Sequence, residues 1–413
     1  MQIYKIGGAV RNKLLNIPLS DNDYVVVGST IEEMQSLGFE KVGKSFPVFL
    51  HPTTKEEYAL ARKEIKTGLT HQDFKFVFDK NITLKEDSLR RDFTCNAIYE
   101  DINTGEIIDY HNGIKDIKNK VLRHISPHFK EDPLRVLRAC RFVATLNFTL
   151  APETITICKE MIEEGAITHL SKERIFQELE KSLSSPYFYR FIETAREIGL
   201  LKDLMPEVED LWLIPEREDY HPEKNTGAHT ILALKSAKSN DPIINLAILL
   251  HDVGKTKTNP TQWPSHHNHE NLGVEISLTI LNRLKAPNIY KKFIPFIIKN
   301  HMISHTKNAN HKDIAQLAIF LRKHFKHNYF KRFLEVTHAD LTGRELNNLD
   351  KEEQQFINFS KILEHYYHIA SLPKSTLLPN LEDLLDKLKS HQITKEYLLE
   401  QELEAILKYK TLG

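Results

Sequence analysis

The chain has 413 residues, 41% of them hydrophobic and 27% charged, with 56 Lys and Arg balanced by 56 Asp and Glu. That length accommodates roughly two to four domains with real cores, and a formal charge of zero excludes a surface that coats polyanions everywhere, leaving only local basic areas. Cys95, Cys140 and Cys158 lack Cys-x-x-Cys spacing, which excludes a disulfide framework or thiolate zinc site and fits a cytoplasmic location.

No apolar run approaches the ~18 residues of a membrane span, and Met1-Gln2-Ile3-Tyr4-Lys5 does not read as a signal segment. Residues 1 to about 115 read as mixed α/β, with strands near 3–6, 23–27, 47–50, 57–61 and 106–109 and helices near 9–15 and 30–36. Between the first strand and first helix stands Gly7-Gly8-Ala9-Val10-Arg11; paired glycines admit a phosphate close to the backbone, and Arg11 adds a fixed charge. It has neither dinucleotide-fingerprint spacing nor a P-loop ending. Asp21 and Asp23 then precede the run Tyr24-Val25-Val26-Val27. Residues i and i+2 of a strand share a face, so the two carboxylates suit shared divalent metal for phosphoryl or nucleotidyl transfer, although Ser20-Asp21-Asn22-Asp23 is also good turn sequence. Thr67 to Asp87 reads as one long loop.

Leu89-Arg90-Arg91-Asp92-Phe93-Thr94-Cys95-Asn96-Ala97 reads either as a solvated helix cap or as a nucleotide contact, with Arg91 on a phosphate and Asp92 on a ribose hydroxyl. After about residue 118 strand signals stop and helical periodicity dominates. Lys118 to Arg141 carries seven Lys and Arg against Glu131 and Asp132 alone. Within it, Asp132 and Pro133 suit the start of a helix on which Arg135, Arg138 and Arg141 recur every third residue. Guanidinium and carboxylate complement base edges, so this helix is a candidate reader of C and A, the alternative being a neutralised basic face. Trp212 to Lys224 is the best domain boundary. Beyond it, His251-Asp252 closes an apolar helical run, with His229 upstream and Asp340 downstream. Imidazole with carboxylate suits Mg, Mn, Fe or Ni, and His267, His269 and His301 are candidates to extend the site.

Gly7-Gly8-Ala9-Val10-Arg11, Asp21-x-Asp23, Arg90-Arg91-Asp92-Phe93-Thr94-x-Asn96-Ala97 and Glu131-Asp132-x-x-Arg135, with Val42 to Phe49 and Leu122-Arg123-His124, resemble the bacterial CCA-adding enzymes, class II tRNA nucleotidyltransferases. The resemblance implies an α+β chain: a nucleotidyltransferase head over 1–118, a helical neck and body over 119–224 and a helical tail over 346–413. It implies catalytic Mg2+ on Asp21 and Asp23, with Glu57 a candidate third carboxylate. Gly8, Arg11 and Arg91 would contact the nucleotide, Asp132 and Arg135 would read the base, and Arg138 and Arg141 would complete the pocket. The family usually has Asp where this chain has Asn12, from which a modest effect is expected. His229, His251, Asp252 and Asp340 resemble the ligand set of HD phosphohydrolases, which implies an HD domain over 225–345 with phosphatase, 2′-nucleotidase and 2′,3′-cyclic phosphodiesterase activity on a transition metal such as Ni2+; the alternative is a degenerate HD scaffold. The partners implied are tRNA, CTP and ATP, with no membrane, for a monomer or homodimer. Alternatives are a poly(A) polymerase of the same superfamily, disfavoured by Gly43-Lys44-Ser45-Phe46-Pro47-Val48, and an enzyme adding only CC, disfavoured by the loop that starts at Lys63. An HD-domain hydrolase with a regulatory head and a catalytically dead tRNA-binding protein remain as well.

Overall fold

Strand alternation organises the amino-terminal part of the computed structural model, which describes residues 1–18, 22–42, 47–66, 74–219, 221–305, 310–345 and 350–409. Strands β1 (Gln2–Ile6), β2 (Asp23–Val27), β3 (Glu40–Val42), β4 (Val48–Leu50), β5 (Glu57–Leu60), β6 (Lys63–Lys66), β7 (Phe74–Val77), β8 (Ile98–Asp101) and β9 (Ile107–Asp109) include a sheet of order β3-β4-β5-β2-β1-β8-β9. Its pairs are antiparallel except β2 with β5, which run parallel with Asp23 opposite Glu57. Side chains alternate between two apolar layers. Tyr4, Ile6, Val25 and Tyr99 pack on one face, and Val26, Met34, Phe49, Tyr58 and Leu60 on the other. Asp23, two residues before Val25, therefore belongs to the first face.

Four short helices serve this sheet: α1 (Gly8–Leu15), α2 (Ile31–Ser36), α3 (Leu84–Leu89) and α4 (Gly113–Lys118). Gly7 turns the chain from β1 into α1 at φ 72°, a conformation that strains any residue with a Cβ. Thr30 with Glu33 and Thr83 with Glu86 form capping boxes that start α2 and α3. The loop expected over 67–87 is corrected in part. Phe74–Val77 is a strand paired with Lys63–Lys66, and α3 opens at Leu84, both too short to show a clear period among polar neighbours; residues 67–73 lie outside the described residues. Strands also do not stop at 118, because Val121–Leu122 and Thr149–Leu150 pair in parallel, again too short to alternate. Helix α5 (Leu134–Leu146) buries Val136, Leu137, Cys140 and Val143 and ends at Asn147 in the left-handed conformation.

The chain divides into two compact units, Met1–Ser182 with Arg190–Leu204, and Leu183–Tyr189 with Met205–Gly413. The second is helical. Its organising helices are α6 (Thr226–Ala237), α7 (Pro242–Leu250), α8 (His269–Arg283), α9 (Asn288–Asn300) and α10 (His327–Thr342). Asp241 caps α7 and Pro242 occupies its first turn, and every residue from Ile243 to Leu250 is buried. That apolar rod delivers His251 and Asp252 to the unit's interior, 0% and 3% exposed. A Cβ at Gly254 would overlap the His269 carbonyl, so glycine here lets the turn after Asp252 lie directly on α8. Among the described residues, no helix is long and apolar enough to cross a membrane.

Candidate functional sites

In the first unit a cavity of about 410 Å³ is lined by Gly7, Gly8, Asp23, Asp92, Asn96, Asp132, Phe142 and six arginines, Arg11, Arg90, Arg91, Arg135, Arg138 and Arg141. Three aspartates against six guanidiniums leave the cavity cationic, the polarity that a triphosphate requires. The sequence-predicted Gly8, Arg11, Arg91, Asp132, Arg135, Arg138 and Arg141 all meet here, with Asp23 at the rim. Asp21 lies outside the described residues. Glu57 does not line the cavity, but opposite Asp23 on a parallel strand it presents its side chain to the same face.

Each arginine is fixed by a partner. Arg11 donates to Asn96 Oδ1 and, through Nη2, to Asn12 Oδ1 at 3.0 Å, while Asn12 Nδ2 donates to the Pro18 carbonyl at 3.2 Å. Arg91 donates to Asp87 Oδ2 at 3.0 Å and to the Tyr99 hydroxyl at 3.2 Å. Burial works against the Asp87 charge, yet Arg90 and Arg91 beside it bring its carboxyl down to about 2. Arg135 donates to the carbonyls of His128 and Arg90. Arg138 holds Asp92 Oδ2, with Nε at 2.8 Å, and Asp92 Oδ1 accepts from the Phe93 N–H and from Asn96 Nδ2 at 3.0 Å. Asp92 is thus held by Arg138 in the cavity wall, and burial fails to keep its carboxyl from falling below the usual range because Arg138 and Asn96 stabilise the charge. Arg141 donates to Glu178 Oε2 at 2.6 Å.

Asp132 caps the start of α5 by accepting from Leu134 N–H at 3.1 Å, and faces Arg174 at 3.6 Å. Sequence reasoning missed Phe142. Its ring lies under three guanidiniums, 5.1 Å from Arg11, 5.2 Å from Arg138 and 4.1 Å from Arg141. It immediately follows the arginine stripe, and that adjacency was the available signal.

The second unit holds a larger cavity, about 730 Å³, with His229, Asp252, His269, His301 and Asp340 in its wall. His229 Nε2 lies 3.0 Å from Asp340 Oδ1, and His251 Nε2 lies 3.1 Å from Asp252 Oδ2 and 3.5 Å from Asp340 Oδ1. Thus His229, His251, Asp252 and Asp340, separate in sequence, converge. His269 and His301 join them at 3.4 and 3.6 Å from Asp252 Oδ1, whereas His267 is exposed and stays outside the cluster. Four Nδ1 atoms face backbone carbonyls: Gly343 for His229, Ile248 for His251, His266 for His269 and Ile298 for His301. A carbonyl only accepts, so each Nδ1 carries a proton and each Nε2 is turned inward, the orientation of a metal ligand.

Burial opposes a charge on His251, but Asp252 and Asp340 outweigh it and push its pKa well above the ordinary value. Burial brings His269 down to about 4, leaving that ring neutral. The buried His251 Nε2 has no hydrogen bond of good geometry. Imidazole nitrogens and carboxylate oxygens form ligand triplets here whose atoms all lie within 4.8 Å of one another, so the donor set fits a divalent transition metal. Lys255 Nζ, between Asp252 Oδ2 at 2.8 Å and Glu216 Oε1 at 2.6 Å, was also missed; it sits one turn beyond the His-Asp pair.

Residues 3–123 match the Poly A polymerase head domain family, and residues 147–211 match the family described as a probable RNA and SrmB-binding site of polymerase A. The chain is 43% identical over 350 residues to the multifunctional CCA protein of Teredinibacter turnerae, spanning 83% of this chain and 85% of that protein. It is 41% identical over 368 residues to the one from Aliivibrio salmonicida, spanning 86% and 89%. Among solved structures, the CCA-adding enzyme of Bacillus stearothermophilus in complex with CTP has a similar fold, with a TM-score of 0.59 at 23% identity over 98% of this chain and 92% of that one.

Proposed function

The chain belongs to the multifunctional CCA protein family and is a CCA-adding tRNA nucleotidyltransferase; on that premise we propose that the arginine-lined cavity receives CTP and ATP and that the histidine cluster hydrolyses phosphate esters at RNA 3′ ends. The observation that carries the first part is the gathering of the Gly7-Gly8 turn, Asp23 and the α5 stripe around one cationic cavity. Arg11 and Arg91 hold the triphosphate near the amino terminus of α1. Asp132, Arg135 and the Phe142-backed Arg138 and Arg141 face the base and select C and A by edge complementarity. Enzymes of this family use divalent metals such as Mg2+, which Asp21 and Asp23 would hold, with Glu57 across the ladder. When bound there, such an ion would supply charge stabilisation to the reacting oxygens. The tRNA 3′-hydroxyl oxygen bonds to the α-phosphorus as its proton passes to solvent and the bond to the leaving pyrophosphate breaks, and the cavity's fixed guanidiniums orient that phosphate without reorganising.

The four functional parts of this reading are a head over 1–118, a neck and body over 119–224, an HD domain over 225–345 and a tail over 346–413. The second activity is supported by the inward Nε2 atoms of His229 and His251 beside Asp252 and Asp340. With a transition metal such as Ni2+ bound there, it covers phosphatase, 2′-nucleotidase and 2′,3′-cyclic phosphodiesterase reactions, which would prepare damaged ends for addition. Incubation with tRNA lacking CCA and each labelled nucleotide in turn tests the transfer reading: C and then A enter the product, and U and G do not. Incorporation of A alone into tRNA lacking CCA would instead favour a poly(A) polymerase.

A further inference from the structure

Two exposed carboxylates stand opposite each other at the start of the parallel ladder in the first unit, Asp23 on β2 and Glu57 on β5. Neighbouring strands run about 4.8 Å apart, and like charges placed directly opposite destabilise the pairing that carries them. The spacing of these two carboxylates has to be set by other contacts. Alternation sends the residues next to them, Asn22, Tyr24, Glu56 and Tyr58, to the other face of the sheet.

The contacts lie on that other face. Asn22 Nδ2 donates to Glu56 Oε1 at 2.8 Å, a bond between the position just before Asp23 and the position just before Glu57. Its acceptor is fixed by its own turn: Thr54 Oγ1 donates to Glu56 Oε2 at 2.9 Å, and the His51 N–H donates to the Glu56 carbonyl at 3.0 Å. The Tyr24 hydroxyl also reaches Glu56 Oε1, at 3.4 Å, and its ring stacks on Tyr58 with centroids 4.4 Å apart. An amide donating to a carboxylate makes a charge-assisted bond, stronger than a neutral one, so the Asn22–Glu56 bond is the main polar tie between the two strand ends.

We infer that Asn22 and Glu56 are positioning residues for nucleotidyl transfer: their bond clamps β2 to β5 from behind and keeps Asp23 and Glu57 at the spacing that a shared divalent ion requires. The inference rests on the reading that assigns Mg2+ to the carboxylates of this strand end, and deepens it. Neither residue lines the arginine-rich cavity, so their effect passes through the two strands and not through contact with the nucleotide. Mg2+ demands near-ideal octahedral geometry at about 2.1 Å, so a loosened carboxylate spacing is felt first as metal affinity.

Metal binding tests this without turnover. Mn2+ is titrated into full-length protein and the free ion is followed by its paramagnetic resonance; the binding that Asp23→Asn removes belongs to the first unit. Asn22→Ala and Glu56→Ala should each weaken that binding about 10-fold, and the double variant should be no weaker than either, because the same bond is lost in all three. Glu56→Gln removes the charge but keeps an acceptor for Asn22, and should stay within about twofold of wild type. The Mg2+ concentration that half-saturates C addition should rise by the same factor in the two Ala variants, with the choice among nucleotides unchanged; a thermal unfolding curve for each variant separates this from misfolding. Mn2+ binding in Asn22→Ala equal to wild type overturns the clamp, as does a loss in Glu56→Gln as large as in Glu56→Ala, which would assign the effect to charge alone. If Asp23→Asn removes no Mn2+ binding, the metal reading of the strand end fails and the clamp fails with it.

Discussion

Around the first-unit cavity, six guanidiniums are each held by a protein partner, whereas in the second unit four imidazoles have their outer nitrogens on backbone carbonyls and their inner ones turned toward Asp252, Asp340 or one another. The first arrangement is complete before any ligand arrives. Arg138 is satisfied by Asp92 and Arg141 by Glu178, so an incoming anion meets fixed positive charge. The second gathers imidazole nitrogens and buried carboxylates in one place. On the proposed reading, one site receives an anion and the other a metal. The difference lies mostly in what fixes the polar atoms: side chains in one, apart from Arg135 on two backbone carbonyls, and a backbone carbonyl at every outer nitrogen in the other.

The strongest way to break this comparison is to remove each site's central carboxylate. Asp23→Ala should lower incorporation of both C and A by about 100-fold or more, with hydrolysis of a 2′,3′-cyclic phosphate retained. Asp252→Ala should do the reverse. The measurement is both assays on both purified variants, and loss of both activities in either single variant would show that the sites do not act separately. Gly254→Ala should resemble Asp252→Ala without touching a ligand, because its Cβ would overlap the His269 carbonyl and push the two ligand-bearing segments apart.

Base selection comes next in size. Asp132→Ala should relax selection of CTP and ATP over UTP and GTP by about 1–3 kcal/mol, read as the ratio of kcat/KM values. Arg135→Ala should do so as well and also lower thermal stability, because it strands the carbonyls of His128 and Arg90. A loss of stability with unchanged selectivity would assign Arg135 to architecture alone.

Much of this was legible because periodicity carries it. The Arg135, Arg138, Arg141 spacing predicts a shared stripe, and β1, β2 and β5 appear as apolar runs of strand length. The partners that fix the stripe were not legible: Glu178 is 37 residues from Arg141, and Asp92 is 46 residues from Arg138. No local pattern marks such pairs; folding alone brings them together. The same holds for the second unit, where His-Asp adjacency drew attention to His251 and Asp252. His267, His269 and His301 stood in the sequence only as undifferentiated candidates, and the packing of α8 and α9 brings the last two to Asp252 while His267 stays exposed. Short strands such as β7 and β8 escaped because four residues barely establish a period.

A stability experiment sharpens the first half of the comparison. The folded Asp87 carboxyl sits at about 2, below its unfolded value, because Arg90 and Arg91 outweigh the cost of burial. A depressed carboxylate contributes stability that is fully present above the unfolded pKa, and it is lost as pH falls through the folded one. Wild type should therefore exceed Asp87→Asn by about 2 kcal/mol at neutral pH, with the gap closing between about pH 4 and pH 2. Denaturant unfolding at several pH values measures it. A gap constant over that window would mean that the arginines are organised by Tyr99 and packing instead.

The smallest expected effect concerns Asn12. Its amide works in both directions, Oδ1 accepting from Arg11 at 3.0 Å and Nδ2 donating to the Pro18 carbonyl at 3.2 Å. Asn12→Asp keeps the first bond and strengthens it with a charge, but loses the second, since a carboxylate cannot donate. Arg11 is drawn toward the added carboxylate and away from the anion it is placed to meet, while the segment after α1 loses a tether two residues beyond the helix's cap at Asn16. The two changes oppose each other in stability, so the net shift should be within about 1 kcal/mol, and the readout is KM for CTP, which should rise modestly with kcat little changed. A large fall in kcat would instead show that the Pro18 tether, through the segment that leads to Asp23, positions the metal-binding strand, and would make Asn12 part of the catalytic geometry and not merely a neighbour of Arg11.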